Sequence, residues 1–275
     1  MKNDLLIVKA GVDSKMFSEI RRQTISHSSE TLVMVVGTLG GSPMHAYRTM
    51  VFLRSIYKKI FFVVFDEAMS AGTLMALGSD SIYLENGACL GPLDLQISHP
   101  TDDSIISTLD VRDTASATVQ QASVVMLQLY NKNRKEGLSK SIAMNAAIRM
   151  ASDLFKPIMD KIDPFHLHES YRNAELSASY GATLLLGGMI KNRFEAAQIS
   201  THLANDYFDH GYAIIKEEAK GLGLKIMEQQ ELSNIIDLDK IKSLYDQVPL
   251  ENVIFVPTDN RKSEESQVKN KKENR

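Results

Sequence analysis

Cysteine is almost missing from this chain: Cys89 is the only one in 275 residues. A lone thiol excludes an intrachain disulfide and a cysteine-rich zinc site, and it fits a reducing compartment. Charge of one sign is equally scarce. With 31 Lys and Arg against 34 Asp and Glu, the formal net charge is −3 and the pI is near 6.2. No global positive field draws such a chain to nucleic acid or anionic lipid. Long apolar runs are also lacking, because the stretches around Phe61–Phe65 and Ala182–Ile190 fall well short of the roughly 20 residues that span a bilayer. The N-terminal run Leu5–Val8 is too short for a signal-peptide core and carries no small-residue cleavage pattern. A soluble, cytoplasmic protein with no integral membrane segment is expected, and no internal repeat is found.

What is present is enough to build a core, since 44% of the residues are apolar. Short apolar runs at Leu5–Val8, Thr31–Val36, Ile60–Phe65 and Ser81–Leu84 predict strands. Helices are predicted near Ser14–Ser26, His45–Lys58 and Ser70–Gly78. Continuous apolar strands separated by helices predict an α/β fold with a mostly parallel sheet covered on both faces. Loops leaving such a sheet gather at one edge, where ligands bind. Two glycine-containing turns fall there, Thr38-Leu39-Gly40-Gly41-Ser42-Pro43 and Ala68-Met69-Ser70-Ala71-Gly72.

From about Thr114 to Ile162 the pattern is helical and Met-rich, which predicts core or subunit contacts. A further helix is expected over Ser170–Leu186. Tyr212–Ile215 reads as a short strand, followed by a helix that stops at Gly221 and Gly223. One domain is expected over 1–226, then a helical extension over 227–257 in which the run Val253–Val256 has no evident place. The tail 258–275 is charged, nearly devoid of apolar residues, and expected to be disordered.

Ser70 is the candidate nucleophile. It follows a buried strand and opens the small apolar run Ala71–Leu77, whose first-turn N–H groups have no helical partner and can face a developing negative charge. The alternative is that Ser70 merely caps the helix. The Gly40-Gly41 pair favours chemistry, because glycines there permit positive φ and let a carbonyl approach a backbone N–H closely.

TLGGSPMHAYRTMVFLR resembles the (S/T)PGG turn and following helix of the Clp/crotonase superfamily. AMSAGTLMALGSDSIYLENGACLGPLDLQ closely resembles the nucleophile segment of the serine dehydrogenase proteinase family, which is related to signal peptide peptidase A. FDHGYAIIKEEAKGLGL is similar to the segment that ends that family's domain. The resemblance covers roughly residues 5–225 and implies a Clp/crotonase-like fold with a helical oligomerisation region. It also implies a serine peptidase with Ser70 as nucleophile and an oxyanion hole formed by Gly41, Gly40 and the N–H of Ala71. Leu39 stands where the family usually has proline.

The base is not fixed by these motifs. Signal peptide peptidase relatives use a lysine from the helical region after the serine, yet this chain has no lysine between Lys59 and Lys132. Arg112 lies in that window and stays protonated. His99 falls in the loop region from which Clp peptidases draw their histidine. His210 matches the family's closing segment, and Asp206 lies beside it near where Clp peptidases carry the triad acid. Lys132 and Lys135 sit in a charged stretch expected to be an exposed helix end. Asp94 is expected to orient the loop after Gly91-Pro92. His166 and His168 alternate like loop or cap residues and lack the i, i+4 spacing of a helical metal pair.

The reading is therefore a serine peptidase cleaving peptides or proteins by an acyl-enzyme route in a homo-oligomer, with no cofactor and no metal. The alternative is a catalytically silent scaffold that kept the fold and the serine and acts through assembly. An acyl-CoA enzyme of the crotonase kind is disfavoured, because it needs no serine at this helix position.

Overall fold

The computed structural model describes residues 3–93, 96–98, 105–207 and 209–258, and their side chains except those of 96–98 and 105–111. The chain forms two units, one from residues 1–93 and 176–275 and the other from 94–175.

In the first unit, β1 (Asp4–Lys9) leads to α1 (Ser14–Gln23), which starts where the Asp13 side chain accepts the Met16 N–H. Next come β2 (Thr31–Val36), α2 (Pro43–Ile56) and β3 (Lys59–Val64). Then follow β4 (Glu67–Ala68), α3 (Ala71–Leu77), β5 (Ser81–Leu84) and β6 (Cys89–Leu90). In the second unit a short hairpin, β7 (Gln96–Ser98) and β8 (Ile105–Ser107), precedes α4 (Thr108–Lys135) and α5 (Lys140–Met159), which pack as an antiparallel pair. The helix α6 (Pro164–Gly187) begins in the second unit and ends in the first. The first unit then closes with α7 (Arg193–Asn205), β9 (Ile214–Ile215), α8 (Lys216–Gly221), α9 (Gln229–Ser233), α10 (Leu238–Gln247) and β10 (Asn252–Val256).

The main sheet runs β10-β1-β2-β3-β5. Three of its four pairings are parallel, and β10 lies antiparallel to β1 with Val253 opposite Val8. This places the run Val253–Val256 that the sequence left without a position. Because side chains alternate along a strand, the continuous apolar strands feed two cores. Leu6, Val8, Met34, Val36, Phe62 and Val64 face a core shared with α1, α2 and α3. Leu5, Ile7, Val33, Val35, Phe61 and Val63 face a second core filled by Leu232, Ile241, Tyr245 and Val248 from α9, α10 and the residue after it. The C-terminal segment thus covers the second face of the sheet. The expected α/β architecture with a mostly parallel sheet is what the chain adopts.

A second, three-stranded sheet runs β4-β6-β9. It lies in the segments that enter and leave the candidate site. Residues 259–275, most of the charged tail, fall outside the described part of the chain.

Candidate active site

The glycine turn leaves the end of β2 and is held from two sides. On one side, Thr38 bridges to β4: its N–H donates to the Glu67 carbonyl (3.0 Å), and its own carbonyl accepts the Met69 N–H (2.9 Å). On the other side, the Gly40 carbonyl accepts the Val12 N–H (2.8 Å), and the Val12 carbonyl accepts the Ser42 N–H (2.7 Å). Ser42 then caps α2 by accepting the His45 N–H, with Pro43 beginning the helix. Gly40 and Gly41 have φ of +111° and +138°. L side chains rarely adopt that region, and a Cβ on Gly41 would stand 2.5 Å from the Val12 carbonyl oxygen.

Ser70 lies at the end of the β4 segment, where the chain turns into α3. It is buried, at 6% exposure, and has φ +49° and ψ −110°. Positive φ in a non-glycine residue is strained, and such strain gathers where a structure over-determines a functional group. It occupies the N-cap position of α3, but its hydroxyl makes no capping hydrogen bond to the helix. The turn is fixed instead by the Gly72 N–H donating to the Met69 carbonyl (2.7 Å) and the Leu74 N–H to the Ser70 carbonyl (3.0 Å). Gly72 lets α3 press against Thr38, since a Cβ there would lie 2.6 Å from the Thr38 methyl. Thr73 completes the clamp: its hydroxyl donates to the Ala68 carbonyl (2.8 Å) and accepts the Gly91 N–H (2.9 Å).

These contacts bring Gly40 and Ser70 together. A Cβ on Gly40 would be 2.9 Å from the Ser70 Cβ and 3.4 Å from the Ala71 nitrogen. The Gly40 N–H donates to the Thr38 hydroxyl (3.1 Å). The N–H groups of Gly41 and Ala71 find no acceptor among the described residues. Leu39 projects from this turn at 74% exposure, so replacing the family's proline removes nothing from the core.

His210 is half-buried in the turn Asp209–Gly211 that leads into β9. β9 pairs with β6, and β6 pairs with β4, so the approaches to His210 and to Ser70 belong to one sheet. Asp206 is engaged by His202 on the last turn of α7 (Nδ1 to Oδ2, 2.7 Å), a histidine–aspartate pair that the spacing i, i+4 could have flagged. His202 also meets the Tyr207 ring edge-on. Burial and a hydrogen bond to Glu218 push the Tyr207 phenol up.

Lys132 and Lys135 are exposed on the last turn of α4 in the second unit. Arg112, on the same helix, places its guanidinium 5.9 Å from the Tyr171 ring centre. His166 and His168 are not loop residues: both lie in the first turns of α6, with His166 3.9 Å from Glu169. Asp94 and His99 lie outside the described residues. Among the described residues no three His, Cys, Asp or Glu side chains gather as metal ligands, and no helix is long and apolar enough to cross a membrane.

The thiol of Cys89 lies 4.0 Å from the Met69 sulfur, one residue from Ser70. Burial, reinforced by Glu67, pushes that thiol up and away from the reactive thiolate.

Residues 13–145 match the family described as ClpP-like SDH-type serine proteinase. The recognition drawn from the glycine turn and the Ser70 segment stands, and with it the Clp/crotonase-like class of the fold. The chain is 25% identical over 193 residues to an uncharacterised protein of Methanocaldococcus jannaschii, across 70% of this chain and 52% of that protein. It therefore spans about half the length of the curated relative it matches. Among solved structures, a variant of the 1510-N membrane-bound stomatin-specific protease in complex with a substrate peptide is 19% identical. That likeness covers 50% of this chain and 62% of the other, with a TM-score of 0.34. A ClpP1 variant from Listeria monocytogenes is 12% identical over 82% of this chain and 92% of the other, with a TM-score of 0.35.

Proposed function

We propose that this chain is a serine peptidase that cleaves peptide bonds through an acyl-enzyme on Ser70. One observation carries the reading: Ser70 is buried and strained at positive φ, with its hydroxyl uncommitted to the helix it precedes. The unengaged N–H groups of Gly41 and Ala71 support an oxyanion hole beside it, with Gly40 setting the close approach. In this reading the Ser70 Oγ attacks the scissile carbonyl while a base takes its proton. The two N–H groups hold the oxyanion, the amine leaves with the proton, and water then opens the ester.

A histidine takes the role of base. His210 is favoured by its place on the strand approach that joins the Ser70 sheet. His99 is the alternative, since it falls in the sequence region from which Clp peptidases draw their histidine. Lys132 and Lys135 lack the burial that turns a lysine into a base. Peptides or proteins are the substrates, and the protein works in the cytoplasm as a homo-oligomer. The exposed apolar residues Val124, Leu127, Ile148 and Met150 on α4 and α5 supply the assembly face.

Hydrolysis of a fluorogenic peptide library by the full chain and by Ser70→Ala tests the reading. Turnover that disappears with the hydroxyl supports it, and turnover that survives in Ser70→Ala removes it. The silent scaffold is the second reading, favoured by the lack of any side-chain hydrogen bond to the Ser70 hydroxyl among the described residues. A well-folded protein with no turnover on any peptide selects it.

A further inference from the structure

The two turns that make the candidate site leave the carboxyl ends of neighbouring strands, β2 and β3. Behind them, on the other face of the sheet, stands Tyr245 of α10, 2% exposed. Its hydroxyl donates to the Asp66 carboxylate (2.9 Å), the second residue after β3 on the way to Ser70. The same hydroxyl lies against Gly37, the first residue after β2 on the way to Gly40 and Gly41. A Cβ on Gly37 would be 2.0 Å from that oxygen, so glycine is required there by the phenol rather than by its own backbone angles.

The ring is itself held in place. Phe65 tilts against it at 5.3 Å, and the Lys9 ammonium sits 4.4 Å from its centre. Ile241, one turn earlier on α10, is fully buried in the same core.

A single phenol therefore touches the root of the glycine turn and the root of the nucleophile turn. Between the turns themselves, the described ties are the backbone bonds of Thr38 with Glu67 and Met69, the packing of Gly72 on Thr38 and the close approach of Gly40 to Ser70 and Met69. An oxyanion hole demands that its donors stay within about 0.5 Å of the productive geometry. We infer that Tyr245 is a positioning residue of the Ser70 site: from the C-terminal segment it fixes the spacing of the two turns by bonding Asp66 and seating on Gly37. The inference rests on the reading of Ser70 as nucleophile for its catalytic consequence, but the mechanical coupling stands apart from that reading.

Hydrogen exchange read by mass spectrometry, together with peptide turnover, tests both on the full chain. In Tyr245→Phe, exchange in residues 37–42 and 66–72 is expected to quicken roughly tenfold while β1 and α1 keep their protection. The turnover number is expected to fall about tenfold with KM little changed. Asp66→Ala should reproduce this pattern from the other side of the bond, and Asp66→Asn, which keeps an acceptor, should restore most of the protection. Ile241→Val loosens the same core without touching either turn and should leave both segments protected. Unchanged exchange in both segments of Tyr245→Phe, or equal loosening in Ile241→Val, overturns the inference. Loosened turns in a protein with no Ser70-dependent turnover would uphold the coupling and remove the peptidase reading instead.

Discussion

Gly40 and Ser70 lie so close that a Cβ on the glycine would stand 2.9 Å from the serine Cβ, with the Met69 carbonyl 3.0 Å away on the same side. Both residues are at positive φ, and the turns that carry them are joined by the backbone bonds of Thr38 with Glu67 and Met69. The proximity is thus a product of the sheet and not of local preference. It also makes Gly40 the position where the smallest change in volume reaches the nucleophile without entering the core.

Gly40→Ala is expected to lower peptide turnover by about a hundredfold, since a displacement near 1 Å at a reacting group has that effect. Its melting temperature should fall as well, because the alanine is held at φ +111° with its methyl against the Ser70 Cβ and the Met69 carbonyl, while the packed sheet is untouched. Parallel measurement of turnover and thermal unfolding checks this. Unaltered turnover would separate Gly40 from the site.

The exposed lysines and the half-buried histidine should respond in opposite ways. Lys132→Ala and Lys135→Ala are expected to keep turnover within about twofold, whereas losing a general base costs on the order of 10²–10⁴. A loss of that size is expected in His210→Ala if His210 is the base and in His99→Ala if His99 is. Steady-state kinetics of the four variants assigns the role.

Much of this arrangement was legible in the residues. Thr31–Val36 and Ser81–Leu84 are strands at the expected bounds, and the strand expected at Ile60–Phe65 runs one residue earlier, over Lys59–Val64. Continuous apolar runs leave little choice for a sheet buried on both faces. Ser70 was readable as the entry to a helix, but its positive φ was not, because a serine before a small apolar run has the composition of an ordinary cap. The two-residue strands β4, β6 and β9 carry too few side chains to make a pattern. Val253–Val256 found its partner in β1, some 250 residues away, and Tyr245 found Asp66 at a separation of 179. Such pairings depend on the closed fold and leave no local trace. His166 and His168 read as loop or cap residues for a simpler reason: they alternate beside Pro164 and charged residues, whereas Pro164 is the first residue of α6 and both histidines lie inside the helix.

Acid should expose the bonds that tie β1 to the residues after β10. Asp4 is buried and accepts from Ser28, Ser29, Tyr57 and Thr258. Burial pushes its carboxyl up, but the hydrogen bonds from Thr258, Ser28 and Ser29 together outweigh this and hold it below its ordinary value of 3.8. A depressed folded value means that the stabilisation is present above the unfolded value and is lost as pH falls through the folded one. Asp4→Asn should therefore be less stable by about 1–3 kcal/mol at neutral pH. Its stability should also decline less steeply than that of the natural protein below about pH 4. Urea unfolding across that range measures both effects.

Thr73 offers a test of how the loop after β6 is joined to the nucleophile helix. Thr73→Val keeps the volume but leaves the Gly91 N–H without its acceptor, an unsatisfied buried group that costs about 1–3 kcal/mol. The variant should unfold at lower urea, and Gly91–Leu93 should exchange its amide hydrogens faster. An unchanged midpoint would mean that this bond contributes nothing to the site's frame.

The central claim is that Ser70 carries an activated hydroxyl, and its most direct test is reaction with a fluorophosphonate followed by intact-mass and peptide-level analysis. The account predicts a single adduct on the peptide that contains Ser70, absent from Ser70→Ala and sharply slowed in Gly40→Ala. A folded protein that takes up no adduct, or takes it up on another residue, would contradict it.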